Sequence, residues 1–188
     1  NCAKEIDAPV QEPESVGYPF EIIASTVDTK TVVNDDFTTS WANDDQINLF
    51  HAVGETTDYK SDNAFTVKDV ESGNFTGNLS EELDIEEEYD WFALYPYSSY
   101  IKTPGQQTNG YTYIGGRSDT PQSQDGVNNM KHIAGKNYPL YGKATAVGVG
   151  TTPKLTMYQA ATLLKVNVTN TLTADLAVEN IAFTAPEG

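Results

Sequence analysis

The chain has one cysteine, one arginine and two histidines, and each scarcity closes off a class of protein. A lone Cys2 allows no internal disulfide, no cysteine-based zinc framework and no CxxC redox pair. Arg117 is the only arginine, and 27 acidic residues against 11 basic ones leave a formal charge of −16. That balance disfavours a surface built to hold nucleic-acid phosphates or an anionic bilayer. No run of residues approaches the roughly 18 to 20 apolar positions of a membrane-spanning helix, so any membrane link is expected to be covalent. Motifs for catalysis are missing too: no Gly-x-Ser-x-Gly elbow, no HExxH and no phosphate-cradling glycine loop. Nothing singles out a pair of carboxylates for glycoside chemistry. The expectation is therefore a non-enzyme without cofactor or metal. His51 and His132, too far apart to suggest a metal pair, are expected to be satisfied or surface imidazoles.

What is present points to one β domain. A length of 188 residues with 38% hydrophobic positions is enough for a core, and the composition is globular. Thr, Val, Ile and Tyr contribute 22, 14, 9 and 11 residues, types that fit a pleated, half-buried surface. Alternation predicts strands at Tyr18–Val27, Gln46–Val53, Ala64–Val67, Asn74–Leu79, Glu88–Tyr95, Tyr111–Ile114, Lys143–Val149, Lys154–Tyr158, Leu163–Val168 and Leu176–Phe183. In the first, Tyr18, Phe20, Ile22 and Ala24 share one face. In Glu88–Tyr95, Tyr89, Trp91, Ala93 and Tyr95 do, and Pro96 stops the run. Many short strands with little helix indicate an all-β, antiparallel β-sandwich of about seven or more strands. Thr103–Gly110 and Gly115–Asn129 read as long loops.

Two clusters carry candidate chemistry. Glu81, Glu82, Asp84, Glu86, Glu87, Glu88 and Asp90 place seven carboxylates within ten residues. They lack the alternating ligands and turn glycine of a calcium loop and read as a solvated hairpin. Trp91 and Tyr95 fall on the inward face and Trp41 is expected to be a core anchor, whereas Tyr97, Tyr100 and Tyr111 are candidate ligand contacts able to stack on sugars.

The first seventeen residues, 1–17, form a polar, acidic stretch without period, expected to be an extended linker. Cys2 followed by Lys4, Glu5 and Asp7 resembles the start of a processed bacterial lipoprotein, with the short lysine-acidic signal of surface-exposed Bacteroidales lipoproteins. The resemblance implies lipidation at Cys2.

A longer resemblance spans residues 18–185. A first strand ends near Thr29-Lys30-Thr31. Trp41-Ala42-Asn43-Asp44-Asp45-Gln46-Ile47 follows, then Tyr89-Asp90-Trp91-Phe92-Ala93-Leu94-Tyr95-Pro96-Tyr97, and finally Ala161-Thr162-Leu163-Leu164-Lys165-Val166-Asn167-Val168. This order resembles the N-terminal domain of the fimbrillins, the fimbrial subunit lipoproteins of the Bacteroidales. Asn43-Asp44-Asp45 replaces the family's usual glycine at the turn before the second strand. The resemblance implies a transthyretin-like sandwich over 18–188, a second domain beyond it, a location on the outer membrane surface within a fimbrium, and other fimbrial subunits as partners. It also implies proteolytic removal of the first strand after a basic residue, here Lys30 in place of arginine. A strand from a neighbouring subunit then fills the groove vacated by Tyr18, Phe20, Ile22 and Ala24. With lysine at this position, a protease of different preference and an uncut anchoring or tip subunit both stay open. The alternative function is a monomeric surface lipoprotein that binds glycan or host protein through its loops.

Overall fold

Alternation along Glu88–Tyr95 sends Tyr89, Trp91, Ala93 and Tyr95 to one face, and in the computed structural model all four are buried. The structure describes residues 17–26, 40–54, 56, 58–62, 64–104, 107–108, 111–112, 138–160, 166, 168–175 and 177. Its strands are β1 (Tyr18–Thr26), β2 (Gln46–Val53), β3 (Lys60–Ser61), β4 (Phe65–Asp69), β5 (Asn74–Leu79), β6 (Glu88–Tyr95), β7 (Gln107–Thr108), β8 (Tyr111–Thr112), β9 (Leu140–Gly148) and β10 (Lys154–Gln159). No helix occurs among the described residues, and the fold is all-β.

The ladder runs β2-β4-β5-β1-β10-β9-β6, and β6 returns to β2, so that the sheet closes into a barrel-like arrangement with β3 added on β2. Closure removes the exposed edges that make an open sheet prone to unplanned pairing. β7 and β8 form a separate two-stranded ribbon. All pairs in the main sheet are antiparallel except β1 with β10, which is parallel. The purely antiparallel expectation is corrected at this pair. β1 and β10 lie at opposite ends of the described chain, so no hairpin dictates their relative direction.

The interior is one cluster, with Ile22, Ala24, Ile47, Leu49, Phe65, Phe75, Trp91 and Met157 among its buried members. A second, smaller cluster of Phe50, Leu94 and Ile101 lies on the other face of β2 and β6, with Tyr59 and Phe92 against it. β2 is consequently buried on both faces from Ile47 to Ala52. Its buried Asn48 is satisfied by Ser98: the amide donates to the Ser98 carbonyl at 3.0 Å and its oxygen accepts the Ser98 N–H at 2.8 Å. The turn into β2 carries Asp44 at a φ of +69°, the left-handed region that favours glycine and that Asp tolerates. Asp45 fixes this turn by accepting the Ala42 N–H at 2.7 Å and the Tyr95 hydroxyl at 2.9 Å.

Three further expectations need correction. The acidic stretch after Leu79 is solvated, but it links β5 to β6, which are not neighbours, so it is a crossing connection and not a hairpin. The expected loop Thr103–Gly110 contains β7, paired with the β8 segment through Gln107 opposite Thr112. Within Leu163–Val168 and Leu176–Phe183, the described positions Val166, Val168 and Ala177 are in no strand. They are exposed, so these positions carry no inward face. The rest of those two segments, and all of Gly115–Asn129, lie outside the described residues.

Candidate functional site

β1 is held from both sides. Antiparallel β5 faces it from Tyr18 opposite Leu79 to Ile23 opposite Asn74, and parallel β10 from Ile23 opposite Lys154 to Thr26 opposite Met157. The Ile23 N–H donates to the Pro153 carbonyl at 2.9 Å and the Ala24 N–H to that of Gly73 at 2.8 Å. Of the four side chains expected to share its inner face, Ile22 and Ala24 are fully buried. Phe20, partly buried, stacks on Trp91 with ring centroids 4.8 Å apart. Tyr18 stands at the strand entrance and is 42% exposed.

The far end of β1 is locked by two other residues. The Trp41 indole N–H donates to the Ala24 carbonyl at 2.9 Å within the core, and its ring meets Phe75 and Tyr95 edge-on at 4.9 and 5.5 Å. Gly73, at a φ of +68°, lies so close to the Ala24 carbonyl that a Cβ would collide with it. A side chain at position 73 would thus push against the backbone of β1.

On the outer face, the Asn74 amide donates to Glu21 Oε1, and Lys68 Nζ lies 3.6 Å from Oε2. The Asn74 hydrogen bond holds the Glu21 carboxyl below its ordinary value, partial desolvation opposes this, and Lys68 adds to the lowering. Beside these residues an open cavity of about 390 Å³ is lined by Pro19, Phe20, Gly77 and Thr151 among others.

Sequence reasoning missed a second constellation. His51 Nδ1 lies 2.8 Å from Asp62 Oδ2, and both side chains are buried. Asp62 Oδ1 accepts the Ser80 N–H at 2.8 Å and the Ser80 hydroxyl at 3.0 Å. The imidazole packs against Tyr89 and Trp91, and its Nε2 is 3.5 Å from Glu81 Oε1. In a base-activated nucleophile the hydroxyl would engage the second imidazole nitrogen. Here hydroxyl and imidazole share one carboxylate, an arrangement that fastens β2, the segment after β3 and the end of β5 together. Asp62 is eleven positions from His51, with no motif to link them.

Among the loop tyrosines, Tyr97 is half-buried and its N–H donates to the Gln46 carbonyl at 2.8 Å. Tyr100 is 88% exposed, and Tyr111 contributes its backbone to β8. Trp41, Trp91 and Tyr95 are core residues, as expected. Cys2, Lys30 and His132 lie outside the described residues. Comparison with protein-family models, curated proteins and solved structures finds no match to this chain.

Proposed function

We propose that the chain is a fimbrillin-type structural subunit: a lipid-anchored, non-catalytic β-sandwich of transthyretin-like kind that assembles into surface fimbriae and supports adhesion. The observation that carries this reading is the place of β1. It is an interior rung of a closed ladder, its Ile22 and Ala24 are fully buried, and it ends at Thr26, shortly before Lys30.

Removing such a rung leaves β5 and β10 with unpaired edges and uncovers a groove floored by the core. A strand from a neighbouring subunit that restored both ladders would recover roughly 1.5 to 3 kcal/mol for each large side chain it buries, beyond its hydrogen bonds. Cleavage after Lys30 would release the rung, and a lipid on Cys2 would hold the uncut precursor at the outer membrane.

Electron microscopy of cells with and without the gene tests the reading, together with N-terminal sequencing of isolated filaments. Filaments should vanish with the gene and their subunits should begin at Thr31. Filaments whose subunits retain Tyr18–Thr26 would reject strand exchange. Mass spectrometry of the uncut precursor from native cells should find acyl chains on Cys2. A second reading, a monomeric surface lipoprotein that contacts glycan or host protein through its loops, is favoured by the exposure of Tyr100. Cells that keep their filaments after gene loss would favour it over the first.

A further inference from the structure

The outer face of β6, β9 and β10 bears a groove of about 650 Å³, whose lining includes Tyr59, Phe92, Leu94, Tyr141, Lys143 and Gln159. From this geometry we infer that the groove binds a neutral oligosaccharide, with Tyr141 as the stacking platform.

The register explains how the lining is assembled. Phe92 lies opposite Lys143 and Leu94 opposite Tyr141 on the β6–β9 pair, and Tyr141 lies opposite Tyr158 on the β9–β10 pair. Tyr141 and Tyr158 are 44% and 49% exposed, with rings 5.7 Å apart and tilted 33°. Tyr59 meets Phe92 edge-on at 4.9 Å, and the buried Phe50, Leu94 and Ile101 back the floor. The floor of the groove is therefore packed before any ligand arrives, which limits the ordering cost of binding.

Three observations select the ligand class. First, the lined stretches Phe92–Leu94 of β6 and Tyr141–Lys143 of β9 are paired on both sides, so an incoming peptide finds no free ladder there. Second, Lys143 is the only charged residue of the lining among the described residues, and its ammonium lies 3.4 Å from Asp90 Oδ2 and 4.9 Å from the centre of the Phe92 ring. With that cation already balanced and a chain charge of −16, an acidic glycan is repelled. Third, the lining sets the aromatic residues Tyr59, Phe92 and Tyr141 beside the polar Lys143 and Gln159. Flat apolar faces edged with hydrogen-bonding groups match a sugar ring better than an alkyl chain.

The inference does not rest on filament assembly, because its residues are not those of β1. The full chain would be applied to an array of neutral hexose, N-acetylhexosamine and fucose-containing oligosaccharides beside sialylated and sulfated ones, and the strongest ligand titrated by calorimetry. Saturable binding to neutral members is expected. Tyr141→Ala should weaken it at least about tenfold, whereas Tyr141→Phe, which keeps the ring face, should retain most of it. Tyr100→Ala should bind as the parent does. Circular dichroism of each variant establishes that it is folded, and Tyr158→Ala, a second exposed platform residue, serves if Tyr141→Ala is not. No binding, preference for acidic glycans, or loss with Tyr100→Ala but not with the platform variants would overturn the inference.

Discussion

Phe20 of β1 and Trp91 of β6 stack with centroids 4.8 Å apart and ring planes 13° from parallel, although their strands are not neighbours in the ladder. The contact spans the interior, so β1 is held by packing as well as by its two ladders.

Phe20→Ala should therefore cost about 1 to 3 kcal/mol in urea unfolding, below the range for a fully buried phenylalanine because Phe20 is only partly covered. Tyr18→Ala, at the exposed entrance of the same strand, should lie within about 0.5 kcal/mol of the parent.

Gly73→Ala and Gly54→Ala form a matched pair. Both glycines have positive φ, but a Cβ at 54 meets open space while one at 73 meets the Ala24 carbonyl. Gly54→Ala should show a backbone cost of about 1 kcal/mol. Gly73→Ala should cost about 1 to 3 kcal/mol more and render the β1 segment cleavable in limited proteolysis. Equal losses in the two variants would mean that β1 yields without resistance.

Asp62→Ala strips the partner from His51 Nδ1 and from the N–H and hydroxyl of Ser80. His51 is buried whereas Ser80 is exposed to water that can replace its lost bonds, so a loss of about 1 to 3 kcal/mol, chiefly from the unmatched imidazole, is expected in chemical denaturation. Ser80→Ala removes one hydroxyl bond and should cost about 1 kcal/mol.

Glu21 supplies a pH dependence. Its folded carboxyl lies below the ordinary value, chiefly through the Asn74 hydrogen bond and with help from Lys68. A depressed folded value means that the stabilisation is complete above the unfolded glutamate value and is lost as pH falls through the folded one. Carboxyl-resolved NMR titration should place the Glu21 midpoint higher in Asn74→Ala than in the parent. Unchanged midpoints would assign the lowering to another group.

Strand identity was legible where apolar and polar residues alternate, β2 (Gln46–Val53) included. β6 and β5 coincide with the segments that alternation predicts, and β1 does so over Tyr18–Thr26, Val27 lying outside the described residues. Lys60–Ser61 was not legible, because two residues contain no period. Nor did alternation foresee that β2 is covered on both faces, since that depends on where Tyr59 and Ile101 return to pack. In the candidate site, Phe20, Ile22 and Ala24 were readable as one face. Trp41 was readable as a core anchor, but its bond to the Ala24 carbonyl was not.

The sequence by itself determined the all-β class, the inward rows of β1 and β6 and the strongly acidic surface, because propensity, alternation and charge are local or additive quantities. Tertiary structure alone decided that β1 lies between β5 and β10, that His51 meets Asp62, and that Tyr59, Phe92 and Tyr141 line one groove. These facts depend on which distant strands become neighbours and in which direction, and only closure of the ladder, with every backbone donor and acceptor competing for partners at once, settles that.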